Sequence, residues 1–311
     1  MRELPDVVPM AGLPDRVTIW EVGARDGLQN ESAIIPADVK IQFIERLADA
    51  GLPVVEVTSF VRPEWVPQLA DAGEVVTGIQ HRPGVRYPVL VPNRRGLDRA
   101  LASGVTDIAV FASATDTFAQ RNLNRSLATQ MQMFTPVIEA AVAAGVRVRG
   151  YVSMCFGDPW EGQVPVEQVV DVCGQLREVG CDSLSLGDTI GVATPGQVTR
   201  LLSRLVGSGV PVTEIGVHFH DTYGQALANT LAALQAGVST VDSSAGGLGG
   251  CPYAKSATGN LATEDLVWLL TGLGIDTGVD LDQLVATSAW LATQLGRPSP
   301  SRVVRALSSP E

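Results

Sequence analysis

Three features are scarce or missing in this sequence of 311 residues, and each absence excludes a class of protein. Its four cysteines (Cys155, Cys173, Cys181 and Cys251) show no CxxC spacing, which argues against a disulfide framework and against a structural zinc site. No apolar run is long enough to form a transmembrane helix. The 22 basic and 33 acidic residues leave a net charge of -11, so we expect neither nucleic acid nor an anionic membrane as a partner.

Targeting segments and domain linkers are also missing. The first residues lack the basic start and apolar core of a secretory signal, and they carry too many acids for a mitochondrial transit peptide, so we expect a cytoplasmic location. A hydrophobic content of 45% and a charged content of 18% are typical of a globular protein with a large core. Because no change in composition divides the chain, we predict one catalytic domain over residues 1–311.

The fold class follows from apolar, β-branched runs of strand length that recur eight times with helical patterns between them. These predicted strands are Val17–Val22, Val54–Thr58, Tyr87–Val91, Asp107–Ala112, Val146–Val152, Ser183–Leu186, Ile215–Phe219 and Thr240–Ser243. The clearest predicted helices are Pro36–Ala50, Leu127–Ala144, Pro165–Val179, Pro195–Val206, Tyr223–Ala236 and Leu261–Gly272. Eight alternations predict a (β/α)8 TIM barrel over about residues 17–274, with a short helical C-terminal extension over about 275–311. An open doubly wound sheet is the alternative, but no GxGxxG follows the first strand.

The most specific polar pattern is His218-Phe-His220 on the seventh predicted strand. Residues two apart on a strand point to the same face, and two of only three histidines lie here. Two such imidazoles, completed by a carboxylate and an amide, suit a divalent metal. Two core histidines bonded to neighbours are the alternative, but imidazoles are costly to bury without partners. The third histidine, His81, lies in a loop, where we expect it to be solvated.

Other polar residues fall at the ends of predicted strands, where a barrel carries its functional side chains. Arg25 and Asp26 follow the first strand in a glycine-rich turn and form either a solvated pair or a functional one. Glu56 interrupts the second strand and Asp188 follows the sixth. For both carboxylates the alternative is a salt bridge to an arginine at the barrel mouth.

A glycine-rich segment, 246–250, follows the eighth predicted strand. It lacks the GK[ST] of a P-loop, which makes a phosphate-binding loop a weak interpretation. Cys251 comes directly after it and is either an inert loop thiol or a functional one.

Four segments together resemble the 3-hydroxy-3-methylglutaryl-CoA lyase family: EVGARDGLQNE (21–31), SLGDTIGVATPG (185–196), VHFHDTYGQALANTLAAL (217–234) and GGLGGCPYAKSATGNLATEDLV (246–267). The resemblance covers nearly the whole chain. It implies a carbon–carbon lyase that cleaves 3-hydroxy-3-methylglutaryl-CoA, or a closely related 3-hydroxy-3-alkylglutaryl-CoA, by a metal-assisted retro-Claisen reaction. The products would be acetyl-CoA and acetoacetate or the corresponding 3-oxo acid. It further implies a homodimer that acts in leucine degradation and ketone-body formation.

The resemblance also implies the roles of individual residues. It implies a Mg²⁺ or Mn²⁺ ion whose ligands are Asp26, His218, His220 and Asn260. It implies six catalytic residues, which are Arg25, Asp26, Glu56, Asp188, His218 and Cys251. Within this set Arg25 stabilises the enolate of the leaving acetyl-CoA, while Glu56 and Asp188 orient Arg25 and the metal ligands. The proton transfers are shared by Asp26, His218 and Cys251, in an order that stays open.

One loop departs from the family pattern, which has Cys-Pro-Tyr-Glu-Gly where this chain has Asp158-Pro-Trp-Glu-Gly162. Either Asp158 and Trp160 contact the substrate and favour a bulkier substituent at C3, or the loop faces solvent and Asp158 caps its own turn.

Two other functions remain open. A Claisen-type synthase shares the Arg-Asp loop and the HxH strand, but such enzymes typically add a regulatory C-terminal domain that 311 residues cannot hold. A non-catalytic CoA-binding homologue would have no need of the intact set of polar residues.

Overall fold

The computed structural model describes residues 4–250 and 259–308. Its single sheet consists of parallel strands β1 Thr18–Glu21, β2 Val54–Val55, β3 Thr58–Ser59, β4 Val89–Leu90, β5 Asp107–Ser113, β6 Arg147–Ser153, β7 Ser183–Asp188, β8 Ile215–Phe219 and β9 Thr240–Ser243. Neighbours in space follow the order β2-β1-β9-β8-β7-β6-β5-β4-β3. This order matches the eight predicted strands, with the second one divided into β2 and β3.

The interrupted second strand closes the barrel. β2 pairs with β1, whereas β3, two residues further on, pairs with β4. At the break, the Glu56 amide donates to the Glu21 carbonyl at 2.8 Å, and the Val57 amide donates to the Pro88 carbonyl at 3.0 Å. The two halves of one strand thus join the two ends of the sheet, which confirms the predicted TIM barrel.

Helices surround the sheet, most of them between successive strands and the last three after β9. They are α1 Ala37–Asp49, α2 Ala72–Gly78, α3 Arg94–Ala102, α4 Asp116–Leu123, α5 Gln130–Ala143, α6 Val166–Val179, α7 Pro195–Gly207, α8 Ala226–Gln235, α9 Thr263–Gly272, α10 Leu281–Leu295 and α11 Arg302–Leu307. The six predicted helices are confirmed with bounds shifted by up to three residues. Glycine follows several of them for a physical reason: Gly51, Gly145, Gly180 and Gly237 adopt φ between 73° and 119°, which other residues rarely tolerate.

The interior is apolar and continuous. Phe43, Phe134 and Phe219 are fully or almost fully buried, and Cys173 and Cys181 are buried as the sequence predicts. Across the two described ranges, no helix has the length and apolar character needed to cross a membrane.

The C-terminal helices pack behind the loop that follows β9. Ser301 at the start of α11 donates from Oγ to Asp265 at 2.8 Å, and Ser288 of α10 donates to Glu264. Both acceptors lie in the first turn of α9. Ser299 donates to the Gly246 carbonyl at 3.2 Å, so this extension supports the loop at the barrel mouth.

Candidate active site

A π-helical turn, Gly23–Gly27, places Arg25 and Asp26 at the mouth of the barrel. The amides of residues 25, 26 and 27 all donate to the Val22 carbonyl, at 3.2, 2.7 and 3.2 Å. Turns of this type occur often at functional sites. Glycine is required at both ends, because a Cβ on Gly23 would lie 2.6 Å from Glu21 Oε1 and one on Gly27 would lie 2.8 Å from Leu248 Cβ.

The turn is tied to the loop after the neighbouring strand, β9, by the buried carboxylate of Glu21. Its oxygens accept hydrogen bonds from the amides of Gly23 (2.7 Å) and Ala245 (2.9 Å) and from the Thr263 hydroxyl (2.5 Å). Burial raises the pKa of Glu21 to about 7, although the three donors oppose the shift. The residue therefore fixes the loops after β1 and β9 relative to one another.

The two histidines of β8 meet Asp26 in a compact cluster. His218 Nε2 and His220 Nε2 lie 3.3 Å apart, and the ligand atoms of Asp26 and both histidines all lie within 4.8 Å of one another. Nitrogen and oxygen donors at such distances can share one metal ion. The structure thus brings together three of the residues proposed as metal ligands, Asp26, His218 and His220.

Asn260 reaches this cluster because its backbone runs alongside the end of β8. His220 and Asn260 form an antiparallel bridge, and the Leu261 amide donates to the Phe219 carbonyl at 2.9 Å. Asn260 Nδ2 donates to Asp26 Oδ2 at 2.7 Å and to the Leu248 carbonyl at 3.0 Å. The other amide atom, Oδ1, is buried and has no hydrogen-bond partner within residues 4–250 and 259–308. An unpaired buried oxygen beside a carboxylate and two imidazoles fits a metal ligand.

Charge around the cluster also favours a cation. The acidic side chains near the histidines are the buried Glu56, Asp188 and Asp242 and the partly buried Asp26. Within residues 4–250 and 259–308, two guanidiniums, those of Arg25 and Arg149, are buried among these four carboxylates. Burial alone would raise the pKa of Asp26, but Arg25 and the two imidazoles hold it below its ordinary value. A divalent ion would balance the remaining negative charge.

Arg25 is held rigidly by carboxylates on two sides. Its Nε donates to Glu56 Oε1 at 2.5 Å and its Nη1 to Asp26 Oδ1 at 2.9 Å. Burial would lower the pKa of Arg25, but these two carboxylates raise it further above its ordinary value. The guanidinium also lies 5.5 Å from the centre of the Tyr151 ring. Arg25 therefore carries a permanent, immobile positive charge beside the metal-ligand cluster.

Glu56 is the centre of this network. In addition to Arg25, its carboxylate accepts hydrogen bonds from Trp20 Nε1 at 3.0 Å and from the Tyr151 hydroxyl at 2.5 Å. Burial, followed by the charge of Glu56, raises the pKa of Tyr151 well above its ordinary value, so the phenol stays protonated. The sequence predicted Glu56 and missed Tyr151, which lies inside an apolar strand and lines the cavity.

The sequence also missed a second buried pair behind His218. Asp242 on β9 accepts from Arg149 Nη2 and from the Ser185 hydroxyl, both at 2.7 Å. Its other contact is His218 Nδ1, 3.3 Å from Oδ2. Because Nδ1 faces this carboxylate, Nε2 faces the cluster. A charged residue within an apolar strand is the signal that identified Glu56, and it also applies to Asp242.

Two predicted carboxylates serve loops. Asp188 accepts from the amides of Val192 (2.9 Å) and Ala193 (3.0 Å), so it orders the loop after β7 instead of contacting Arg25. Burial raises the pKa of Asp188 to about 6. Asp158 accepts from the amides of Trp160 (2.7 Å) and Glu161 (2.9 Å), so it caps its own turn, the second of the two interpretations of this loop. Neither Asp158 nor Trp160 is among the described residues that line the cavity.

A cavity of about 1250 Å³ opens over the cluster, and its wall includes Arg25, Asp26, His218, His220 and Gly250. Next to Gly250, Gly249 leaves no room for a side chain, because a Cβ there would lie 2.6 Å from Asn260 Nδ2. Cys251, the remaining predicted catalytic residue, lies outside the described residues.

Comparison with known proteins gives one consistent result. The HMGL-like family model matches residues 16–291. The chain is 54% identical to the mitochondrial hydroxymethylglutaryl-CoA lyase of Rattus norvegicus, over 96% of this chain and 91% of that protein. It is 50% identical to the cytoplasmic 3-hydroxy-3-methylglutaryl-CoA lyase of the same organism, over 96% of this chain and 86% of that protein. Because these relatives belong to different compartments, a cytoplasmic location stays a prediction.

Among solved structures, the hydroxymethylglutaryl-CoA lyase of Pseudomonas aeruginosa is 50% identical to this chain and superposes with a TM-score of 0.93. The match covers 96% of this chain and 99% of that one. The two proteins thus share their fold over nearly the whole chain.

Proposed function

Because this chain belongs to the HMGL-like family and is a carbon–carbon lyase, we propose that it cleaves 3-hydroxy-3-methylglutaryl-CoA at a divalent metal held by Asp26, His218 and His220. The observation that carries the proposal is the convergence of these three side chains around the unpaired Asn260 Oδ1 at the barrel mouth. Two imidazoles, a carboxylate and an amide oxygen form a mixed site for Mg²⁺ or Mn²⁺. When bound, such an ion supplies Lewis acidity to the C3 hydroxyl and a neighbouring carbonyl oxygen of the substrate.

The cleavage breaks the bond between C2 and C3 of the acyl group. A base removes the C3 hydroxyl proton, C3 becomes the carbonyl of acetoacetate, and the electron pair of the broken bond moves to the thioester as an enolate. Protonation at C2 then gives acetyl-CoA. We assign the two proton transfers to Asp26, His218 and Cys251 as a group.

Arg25 is placed to stabilise the enolate. Glu56 and Asp26 hold its guanidinium in one orientation, so little reorganisation is needed when negative charge develops on the thioester oxygen. Glu56 and Tyr151 act through Arg25 as positioning residues. Asp188, at the end of β7, supports the site by ordering the loop that follows.

We further propose that the barrel and the C-terminal helices act as one catalytic domain. The support is the set of hydrogen bonds from Ser288, Ser299 and Ser301 to the loop after β9 and to α9. A homodimer is the expected assembly on family resemblance, and light scattering after size-exclusion chromatography measures it directly.

The decisive experiment separates metal binding from turnover. Metal-free protein is titrated with Mn²⁺ and followed by electron paramagnetic resonance, and acetoacetate is then measured with 3-hydroxy-3-methylglutaryl-CoA and Mg²⁺ or Mn²⁺. We expect the wild type to bind Mn²⁺ and to form acetoacetate. His218→Ala should lose both properties, and the control His81→Ala should keep both. Full turnover in metal-free protein would contradict the metal-dependent reaction, and condensation with a 2-oxo acid would indicate a synthase.

A further inference from the structure

The segment 297–302 leads from α10 into α11 and has the sequence Arg-Pro-Ser-Pro-Ser-Arg. Each proline fixes its own backbone φ and restricts the residue before it to extended conformations, so the segment has little conformational freedom. Its polar groups contact three separate loops of the barrel mouth. We call this segment the C-terminal strap.

The first end of the strap is bound to the loop after β1. Arg297 donates from Nε and Nη2 to the two carboxylate oxygens of Glu31, the first of these bonds at 3.3 Å. The residue before Glu31 is folded back onto the predicted ligand, since Asn30 Nδ2 donates to the Asp26 carbonyl at 3.0 Å. Arg297 therefore holds the loop that carries Asp26.

The other end of the strap is bound to the loop after β8. Arg302 Nη1 donates to Asp221 Oδ2 at 2.8 Å, and Asp221 directly follows the predicted ligand His220. The second oxygen of Asp221 accepts from the Ala226 amide at 3.0 Å, at the start of α8. Asp221 therefore joins the end of the HxH strand to both α8 and the strap.

The middle of the strap is bound to the loop after β9. Ser299 Oγ and the Ser301 amide both donate to the Gly246 carbonyl at 3.2 Å. Further along this loop, the Leu248 carbonyl accepts from Asn260 Nδ2 at 3.0 Å. This contact connects the strap to the fourth predicted ligand.

One short segment thus contacts all three loops around the metal-ligand cluster. A metal ion binds only when its ligands converge, and loops that move independently must lose conformational freedom on binding. We propose that the C-terminal strap keeps the three loops together and so preorganises the metal-ligand cluster, with Arg297 and Arg302 as positioning residues. The inference rests on the proposed function, because this cluster is the proposed metal site. Neither arginine is among the described residues that line the cavity over the cluster, so the strap acts through the loops.

The test is the affinity of the metal-free protein for Mn²⁺, measured by electron paramagnetic resonance. Arg297→Ala and Arg302→Ala each release one end of the strap. Arg82→Ala is the matched control, because Arg82 donates two bonds to Asp49, at 2.7 and 3.1 Å, in an exposed pair ahead of β4, away from the mouth. Each single strap variant is expected to weaken Mn²⁺ binding roughly threefold, and the double variant about tenfold. The control should keep the wild-type affinity.

Hydrogen exchange of the metal-free protein measures the loops directly. Arg297→Ala should speed amide exchange in residues 26–31, and Arg302→Ala should speed it in residues 221–226, because each loop loses its bond to the strap. The variant Arg302→Lys keeps a positive charge opposite Asp221 and should retain most of the Mn²⁺ affinity. A segment that only stabilised the fold would leave the Mn²⁺ affinity of the folded protein unchanged.

Failure of this inference is distinct from failure of the proposed function. Wild-type Mn²⁺ affinity in the double variant would overturn the inference, even if its free energy of unfolding in urea is lower. An equal loss of affinity in Arg82→Ala would also overturn it, because the loss of any ion pair would then have the same effect. A wild type that binds Mn²⁺ and forms no acetoacetate would refute the proposed reaction and leave the titrations to decide the strap. A wild type that binds no Mn²⁺ would overturn both.

Discussion

Replacement of Asp242 by Asn tests the buried pair behind His218. The substitution keeps the shape of the side chain and removes its charge. In the wild type this carboxylate accepts from Arg149 Nη2 and from the Ser185 hydroxyl, both at 2.7 Å, and only 1% of the residue is exposed. The change therefore acts on an interior contact that solvent cannot replace.

The expected magnitude follows from what remains around Arg149. Its Nε and Nη1 have no hydrogen-bond partner in the described part of the chain, and its guanidinium stacks 3.9 Å from the centre of the Trp20 ring. Without Asp242 a buried positive charge is left uncompensated, which costs about 3–5 kcal/mol of stability. An amide oxygen can still accept one hydrogen bond, so we expect a loss of about 3 kcal/mol, at the lower end of this range.

The assay is urea unfolding of Asp242→Asn against a matched control, Asp49→Asn. Asp49 accepts two bonds from Arg82, at 2.7 and 3.1 Å, but this pair is exposed. An exposed pair contributes less than about 1 kcal/mol, so the control should unfold nearly as the wild type does. Equal losses in the two variants would refute the reasoning, because burial would then make no difference.

Four further predictions concern the site and its supports. Arg25→Met should lower kcat by about 10²–10³ with an unchanged circular dichroism spectrum, and near-normal kcat would show a structural role. Cys251→Ala should also lower kcat, and substrate should slow alkylation of the wild-type thiol; alkylation at the same rate with substrate would place Cys251 outside the site. Asp158→Ala should lower the free energy of unfolding by about 1–3 kcal/mol without changing the preference between substrates with different C3-alkyl groups. A changed preference would show that Asp158 contacts the substrate. Burial raises the pKa of Glu264 from 4.5 to about 7. Its protonated form therefore contributes to the free energy of unfolding in full below about pH 4.5, and this contribution is lost as the pH rises through 7. Glu264→Gln should therefore flatten the decrease in unfolding free energy between pH 5 and 8, and an unchanged slope would contradict the assignment.

Local patterns were sufficient for the elements and for the residues of the cluster. Alternation of apolar runs and helical periods indicated eight strands because each strand of a barrel is buried on both faces. The spacing of His218 and His220 indicated that both side chains point to the same face, since side chains alternate along a strand. Position after a strand indicated Arg25 and Asp26, because parallel strands end together at one mouth.

Partners distant in the chain were decided only by the tertiary structure. Arg149 and Asp242 are 93 residues apart, and Tyr151 and Glu56 are 95 apart, yet each pair meets inside the barrel. No sequence period connects such residues, because their contact depends on the register of several strands at once. Asp188 is a second example. Its position at a strand end was evident from the sequence, but its partners are backbone amides of the loop that follows and not Arg25. Sequence by itself thus indicated that Arg25, Asp26, His218 and His220 lie at the mouth, whereas packing determined which side chains touch, because charge pairing in an apolar interior depends on distances of a few ångströms.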